Sequence, residues 1–557
     1  MRTPLATRRI DVTTETAANE LAGLPGKQFE ELTRDYARQH AVTRRSLLGG
    51  ALSLGALAMA PGFMKSARAQ AGTGTLRVAR SLESTTLDPQ KTFNLVDHEI
   101  LWQVMDTLIY LDEKGEVYPG LALSWEFSNE NKTVTFKLRP DVKFHDGTPF
   151  NAEAVAKTVA RHQAPETASP NAFLLGPLEK VEAIDDLTVA YHYTSPFVPL
   201  WVGLGYSYCA PMSPTAFESM GDKIGRQPIG TGPFKLEAWE PDTGIRLVRN
   251  DEHDWATPWY ENAGKAHLEA ATYVVIPEDS TRIAALQGGE VDLLAGDNAV
   301  PFDRAREIES DPSLRISRQQ APSVFGIIFN QSKPPFDKLE ARQAVNLAVD
   351  KEKIIALVLD GNGKPAASPL TSVFPQYNPA TESKYPFDPA KAKELLASAG
   401  LGDGFEFELI IFDAPIFKRV AEVVQADLAA VGIKMSVQIL PVGDALALAG
   451  KGESTAVALY YTFGDPDILV ALFGKGGGLN FCFAPENADL QGKLDGQRLS
   501  FDAAERKDLV FGIQDILVDQ AFWAPLYEPG YLIASRQEVT GISIDTLGFV
   551  HLQDLNL

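Results

Sequence analysis

Two carboxylates, Asp465 and Asp467, follow the β-prone aromatic run Leu459-Tyr460-Tyr461-Thr462-Phe463-Gly464, with Pro466 between them. A carboxylate at a strand end, beside aromatic walls that exclude water, suits a ligand cation, because Coulomb attraction grows as the local dielectric falls. The competing reading is a solvated turn whose aspartates cap their own backbone. A second aromatic concentration, Tyr191, Tyr193, Phe197, Trp201, Tyr206 and Tyr208, falls within eighteen residues. Such a group fits the wall of a small-molecule cleft or an ordinary packed core, and Tyr377 joins the ligand-facing set.

Catalytic constellations do not assemble. The eight histidines, at 40, 98, 145, 162, 192, 253, 267 and 551, are never within six residues of one another, and His98-Glu99 lacks the second histidine of a zincin helix. Gly205-Tyr206-Ser207-Tyr208-Cys209 begins like a nucleophile elbow but ends in cysteine where that motif needs glycine. The glycine-rich stretches 361–365 and 474–478 lack the spacing of a phosphate loop and read as turns. The expectation is a binding protein with no catalytic residue, no cofactor and no metal.

The elements that position these residues alternate between strand and helix, which favours an α/β architecture. Thr75 to Ala79 reads as a first strand. From Thr133 to Leu138, Val134, Phe136 and Leu138 share one face against Thr133, Thr135 and Lys137 on the other. Asp388-Pro389 supplies an N-cap and a first-turn proline for a helix striped by Ala392, Leu395, Leu396 and Ala399, with Gly400 beyond it. A second helix carries Val420, Val423, Val424, Leu428 and Val431 up to Gly432, and a third runs from an Asp350 cap to Gly361.

Composition removes whole function classes. The 557 residues hold 51 Lys and Arg against 73 Asp and Glu, a formal net charge of −22, which argues against nucleic acid as partner. Two cysteines, Cys209 and Cys482, exclude a disulfide scaffold and a multi-cysteine zinc module. Residues 1–69 read as a leader: Thr43-Arg44-Arg45-Ser46-Leu47-Leu48, an apolar run from Gly49, then Ala67-Arg68-Ala69 as an A-x-A cleavage pattern. The apolar run is about 14 residues, short of the ~20 a spanning helix needs. It resembles a twin-arginine export signal, freeing a periplasmic chain that starts near Gln70 or Ala71. The 42 residues ahead of it are either a long n-region or an upstream start. An oxidising compartment would permit a Cys209–Cys482 disulfide, and their separation neither supports nor forbids it.

Longer motifs carry a family resemblance. Leu123-Ser124-Trp125-Glu126 is followed by Thr133 to Pro149, with Lys143-Phe144-His145-Asp146-Gly147-Thr148-Pro149 at its end. Thr86-Leu87-Asp88-Pro89 precedes this stretch, and Gly230-Thr231-Gly232-Pro233-Phe234, Arg249 to Trp255, Gly289-Glu290-Val291-Asp292 and Val345 to Lys351 follow it in order. Together they resemble the family 5 extracellular solute-binding proteins, the peptide- and nickel-type receptors of ABC importers, over residues 75–550.

That resemblance implies a type II periplasmic-binding-protein fold with two lobes and an extra subdomain in lobe one. Lobe one would take residues 70–322 and return at 528–557; lobe two would take 323–527. The hinge crossings would fall at Ala321–Phe325 and Tyr527–Tyr531, and His145-Asp146-Gly147 would be scaffold. The peptide-binding members imply a ligand ammonium on Asp465, with Asp467 second. Tyr461, Phe463, Tyr206, Tyr208 and Tyr377 would supply walls. Dipeptide receptors hold the ligand carboxylate with an arginine before the helix containing Val420; here Phe412-Asp413-Ala414-Pro415-Ile416-Phe417 contains none. The expected function is capture of a peptide-like or amine-bearing solute for an inner-membrane ABC permease, by a monomer. An opine, sugar-conjugate or metal-chelate ligand is the alternative, and a periplasmic enzyme is the reading from another class.

Overall fold

The alternation in Thr133–Leu138 is realised as a central strand of a four-stranded antiparallel sheet. Its order is Ala122–Ser128, Thr133–Leu138, Thr188–Tyr193, Leu178–Asp185. Val134, Phe136 and Leu138 face inward at 1%, 0% and 3% exposure, so the period-two pattern does position the core. This is a computed structural model that describes residues 74–557 except 113–114, 241–243, 297 and 546. The leader with its twin arginines lies outside the described residues.

Two small pairs, Ile109–Leu111 with Val117–Pro119 and Ser543–Ile544 with Val550–His551, stand apart, and the other strands form one twelve-stranded sheet divided between two lobes. In one lobe Thr75–Arg80 pairs in parallel with Ala270–Val275 and with Leu293–Leu294. In the other, Phe405–Phe412 pairs in parallel with Ile433–Leu440, while Ala456–Thr462 lies beside Ser323–Phe329. The long strand Trp523–Arg536 belongs to both. Trp523 to Tyr527 pair with Ser323–Phe329, whereas Gly530 to Arg536 pair with Leu314–Gln320. The partner changes at Pro529, which has no N–H to continue a ladder. Ala321 N–H donates to its carbonyl at 3.1 Å, so the two passages between lobes run side by side.

The helices follow their capping residues. Asp388 accepts from Lys391 N–H, with Pro389 opening Pro389–Ser398, and Asp350 accepts from Lys353 N–H at the start of Lys351–Val358. Pro415–Ala430 buries Val420, Val424 and Leu428, and Gly432 beyond it takes a φ of 89°, open to glycine without steric cost. The cysteines are both free and buried, Cys209 in the four-stranded subdomain's core and Cys482 in the second lobe's core. The disulfide that export would permit is therefore not formed: each thiol is packed into a different core. Among the described residues no helix is long and apolar enough to cross a membrane.

Inside the subdomain, His162 Nε2–H donates to Asn171 Oδ1 at 2.5 Å, and Asn171 Nδ2 donates to the carbonyls of Pro89 and Thr92. Burial pushes the imidazole down to about 4, opposed by the bond to Asn171. A folded-state value below the unfolded ~6.5 gives stability that is present above ~6.5 and lost as pH falls toward about 4. His162→Gln keeps a donor at the Nε2 position and removes the titration. Its melting temperature should fall less than the wild type's between about pH 7.5 and about pH 5; parallel curves would contradict this linkage.

Candidate functional site

The strand Ala456–Thr462 ends where Ser323 pairs with Thr462, and the chain turns through Phe463 to Asp467 into the helix Ile468–Phe473. Asp465 is buried and already partnered. Arg506 Nη1 donates to its Oδ2 at 3.0 Å and Nη2 to its Oδ1 at 2.5 Å. Asp467 N–H donates to the same Oδ1 at 2.7 Å. Asp467 takes Gln497 Nε2 at 2.8 Å and the Arg498 guanidinium at 2.9 Å. Burial raises the Asp467 carboxyl above its ordinary range, with Arg498 pulling the other way. Both carboxylates are thus answered by the helices Ala488–Leu499 and Ala503–Asp519 of their own lobe. This corrects the expectation of a free ammonium anchor: a bidentate guanidinium already neutralises Asp465.

Of the aromatic candidates, the fold brings Tyr206 and Phe463 together. Tyr206 lies between the helix Leu200–Gly205 and the turn Ser207–Cys209, and its hydroxyl oxygen accepts from Gly464 N–H at 2.8 Å. The Tyr206 and Phe463 rings meet edge to face, centroids 6.2 Å apart at 82°. Nearby, Val198 N–H donates to the Arg498 carbonyl at 2.8 Å, and Phe127 packs against Phe501 at 4.6 Å. The others sit elsewhere. Tyr208 stacks on His98 at 4.4 Å and on Phe93 at 5.3 Å within lobe one. Tyr461 is buried, its hydroxyl donating to the Pro369 carbonyl at 2.6 Å. Half-buried Tyr377 interacts with Thr381 and Glu382 in lobe two.

The elbow-like Ser207 lies 2.5 Å from His98 Nδ1, a serine–histidine contact with both residues at 0% exposure. Burial, and His551 nearby, hold the His98 imidazole well below its usual range. No substrate reaches a hydroxyl sealed in this way, and the contact reads as core packing.

A residue outside the predicted set stands out. Arg419, in the first turns of Pro415–Ala430, donates from Nη1 to Asp303 Oδ2 at 2.7 Å, across from lobe two to the short turn Phe302–Arg304 of lobe one. Its side chain remains 38% exposed, while its Nε is buried with no hydrogen-bond partner among the described residues. Two residues earlier on the same helix, Phe417 touches Phe325 at 4.7 Å and Tyr460 at 5.9 Å, and Phe325 stacks on Tyr527 at 4.9 Å. The sequence reading stopped at Phe417, two residues short. The available signal was a lone arginine immediately before the buried stripe that begins at Val420.

Residues 116–481 match the model of the bacterial extracellular solute-binding proteins, family 5 Middle. The glutathione-binding protein GsiB of Pectobacterium atrosepticum is 30% identical over 483 residues, 83% of this chain and 90% of that protein. NikA from Brucella suis, solved with Fe(III)-EDTA, superposes with a TM-score of 0.79 at 26% identity, over 86% of this chain and 99% of that one. The periplasmic binding protein DppA of Helicobacter pylori, solved with the peptide STSA, gives 0.71 at 25% identity, over 86% and 98%. These neighbours bear out the α/β, type II periplasmic-binding fold.

The geometry assigns Asp465 to holding the Phe463–Asp467 turn. Asp465→Asn removes one charge from a buried pair and should cost about 3–5 kcal/mol of unfolding free energy, measured by denaturant titration. Adding Arg506→Met should restore part of the loss. Equal stability of Asp465→Asn and wild type would remove the assignment.

Proposed function

Since the chain belongs to the family 5 bacterial extracellular solute-binding proteins, we propose that it encloses a carboxylate-bearing, peptide-like solute between its lobes and presents it to an ABC permease. It is a binding protein and not an enzyme. The observation that carries the reading is Arg419. A part-exposed arginine side chain at the lobe boundary has a carboxylate bond from Nη1 and an Nε with no hydrogen-bond partner among the described residues, and its planar fork is the donor geometry that recognises carboxylate. Tyr206 and Phe463 supply facing walls, and Asp465 and Asp467 act by fixing the turn that carries Phe463. The glutathione- and peptide-binding relatives support a ligand of this class. Export by the twin-arginine route through Arg44 and Arg45, a working monomer, and closure about hinges at Ala321–Phe325 and Tyr527–Tyr531 complete the proposal.

Calorimetry with glutathione and with short peptides tests it. Arg419→Ala deletes a charge-assisted hydrogen bond worth about 1.5–3 kcal/mol, so affinity for the probe that binds wild type should fall roughly 10- to 150-fold. Unchanged affinity would eliminate Arg419 as the carboxylate partner.

Closure has its own readout. Small-angle scattering of wild type saturated with that probe should show a smaller radius of gyration than the free protein; identical radii would exclude hinge closure. For export, Arg44→Lys together with Arg45→Lys should abolish periplasmic accumulation, and normal accumulation would overturn the twin-arginine route.

A further inference from the structure

Lobe one holds a small cavity that the proposed ligand contacts do not use. It is lined by Trp102, Asp106, Tyr110, His253, Thr257 and Gln553 among others, and has a volume of about 10 Å³. A water needs about 10–15 Å³ measured in this way, so there is room for one molecule and not for an organic solute. Four of these lining residues carry a buried side-chain atom with no hydrogen-bond partner among the described residues: Trp102 Nε1, His253 Nδ1, Thr257 Oγ1 and Gln553 Oε1. Their exposures are 6%, 6%, 1% and 1%. Buried polar atoms are normally paired, and four unpaired around one cavity call for a common partner.

The neighbouring bonds define what that partner must offer. Asp106 is satisfied, accepting from Tyr110 at 3.1 Å, Thr231 at 2.9 Å and His253 Nε2 at 3.3 Å. Gln553 Nε2 donates to the carbonyls of Asn262 and Gly264, which leaves Oε1 as an acceptor. Trp102 Nε1–H only donates, and Thr257 does either. Because His253 Nε2 faces Asp106, its Nδ1 is a lone pair in the neutral ring and a donor in the charged one. In both cases Thr257 balances the set at two donors and two acceptors. That is the complement of water. An ammonium ion, with four donors and no acceptor, would meet the Trp102 N–H head on.

We propose that this cavity is a binding site for one ordered water, which accepts from Trp102 Nε1–H, donates to Gln553 Oε1, and completes its tetrahedron on Thr257 and His253. The water then has a positioning role. Trp102 and Tyr110 also wall a second cavity of about 10 Å³ that reaches Tyr206, Asp545 and His551. Fixing the Trp102 indole from behind fixes one wall next to the tyrosine that meets Gly464 of the opposite lobe.

A high-resolution crystal structure of the chain without its leader is the direct test. One solvent peak within hydrogen-bond distance of at least three of the four atoms is the expected result. A dry cavity, a metal-like peak at short distances, or rearranged side chains that satisfy one another would each overturn the proposal. Melting temperatures give a second readout: Thr257→Val, which removes one of the water's partners, should melt below wild type, while Thr257→Ser, which keeps the hydroxyl, should stay close to it. Equal melting of the valine and serine variants would also overturn it, and the wild-type crystal decides should the valine variant not fold.

Discussion

The residues proposed to face the ligand, Phe463 and Arg419, depend on one strand, Trp523–Arg536, that serves two lobes at once. The chain passes between lobes beside it, through Ala321 and Pro322, so two adjacent backbones carry the connection and their prolines interrupt the ladder there. Glu528, at the crossing, is 1% exposed and accepts from Ser372 N–H, Ser372 Oγ and Thr371 Oγ1. Burial raises its carboxyl above the ordinary range, and these donors oppose that rise. Ser323–Phe329, next along, sets the end of Ala456–Thr462 and hence the place of Phe463. Phe325, on the same strand, packs against Phe417, two residues before Arg419 on the helix Pro415–Ala430. Wall and charge thus share one foundation, and a change of angle at the crossing moves both relative to lobe one.

Charge is distributed by the same economy of placement. Despite a formal net charge of −22, the buried carboxylates are answered locally. Arg161 is bidentate on Asp88 at 3.1 and 2.6 Å, Arg77 on Asp292 at 2.9 and 2.5 Å, and Arg506 on Asp465. Burying an unanswered carboxylate is costly enough that such pairing is close to obligatory. It also means that an acidic surface does not define an acidic site. Beyond about 8 Å at physiological salt the surface field is screened, so the net charge alone does not decide the sign of a bound ligand.

Local pattern made much of the fold legible in advance. Alternation located Thr133–Leu138, and Asp388, Asp350 and Gly432 marked helix ends, because strand pleat and helix caps are short-range physics. The site was less legible because its partners are distant. Asp465 and Arg506 are 41 residues apart, and no periodicity links a strand end to a later helix. Tyr206 and Tyr208 are indistinguishable by composition. The tight turn Ser207–Cys209 sends one hydroxyl to Gly464 and the other ring onto His98. Arg419 was in plain view, but its worth depends on Asp303 of the other lobe, a pairing that only the tertiary fold creates.

At Tyr206 and Val198 the lobes are joined by two hydrogen bonds, from Gly464 N–H to the Tyr206 hydroxyl and from Val198 N–H to the Arg498 carbonyl. Each is worth about 0.5–1.5 kcal/mol net of the water it displaces. A ligand shifts a closure equilibrium only by the difference in its affinity for the two states. Asp303 already occupies one Arg419 donor. A ligand carboxylate must either displace it or take the Nε that it leaves unanswered. The second course adds a bond without breaking one, and it requires the buried Nε to be uncovered first.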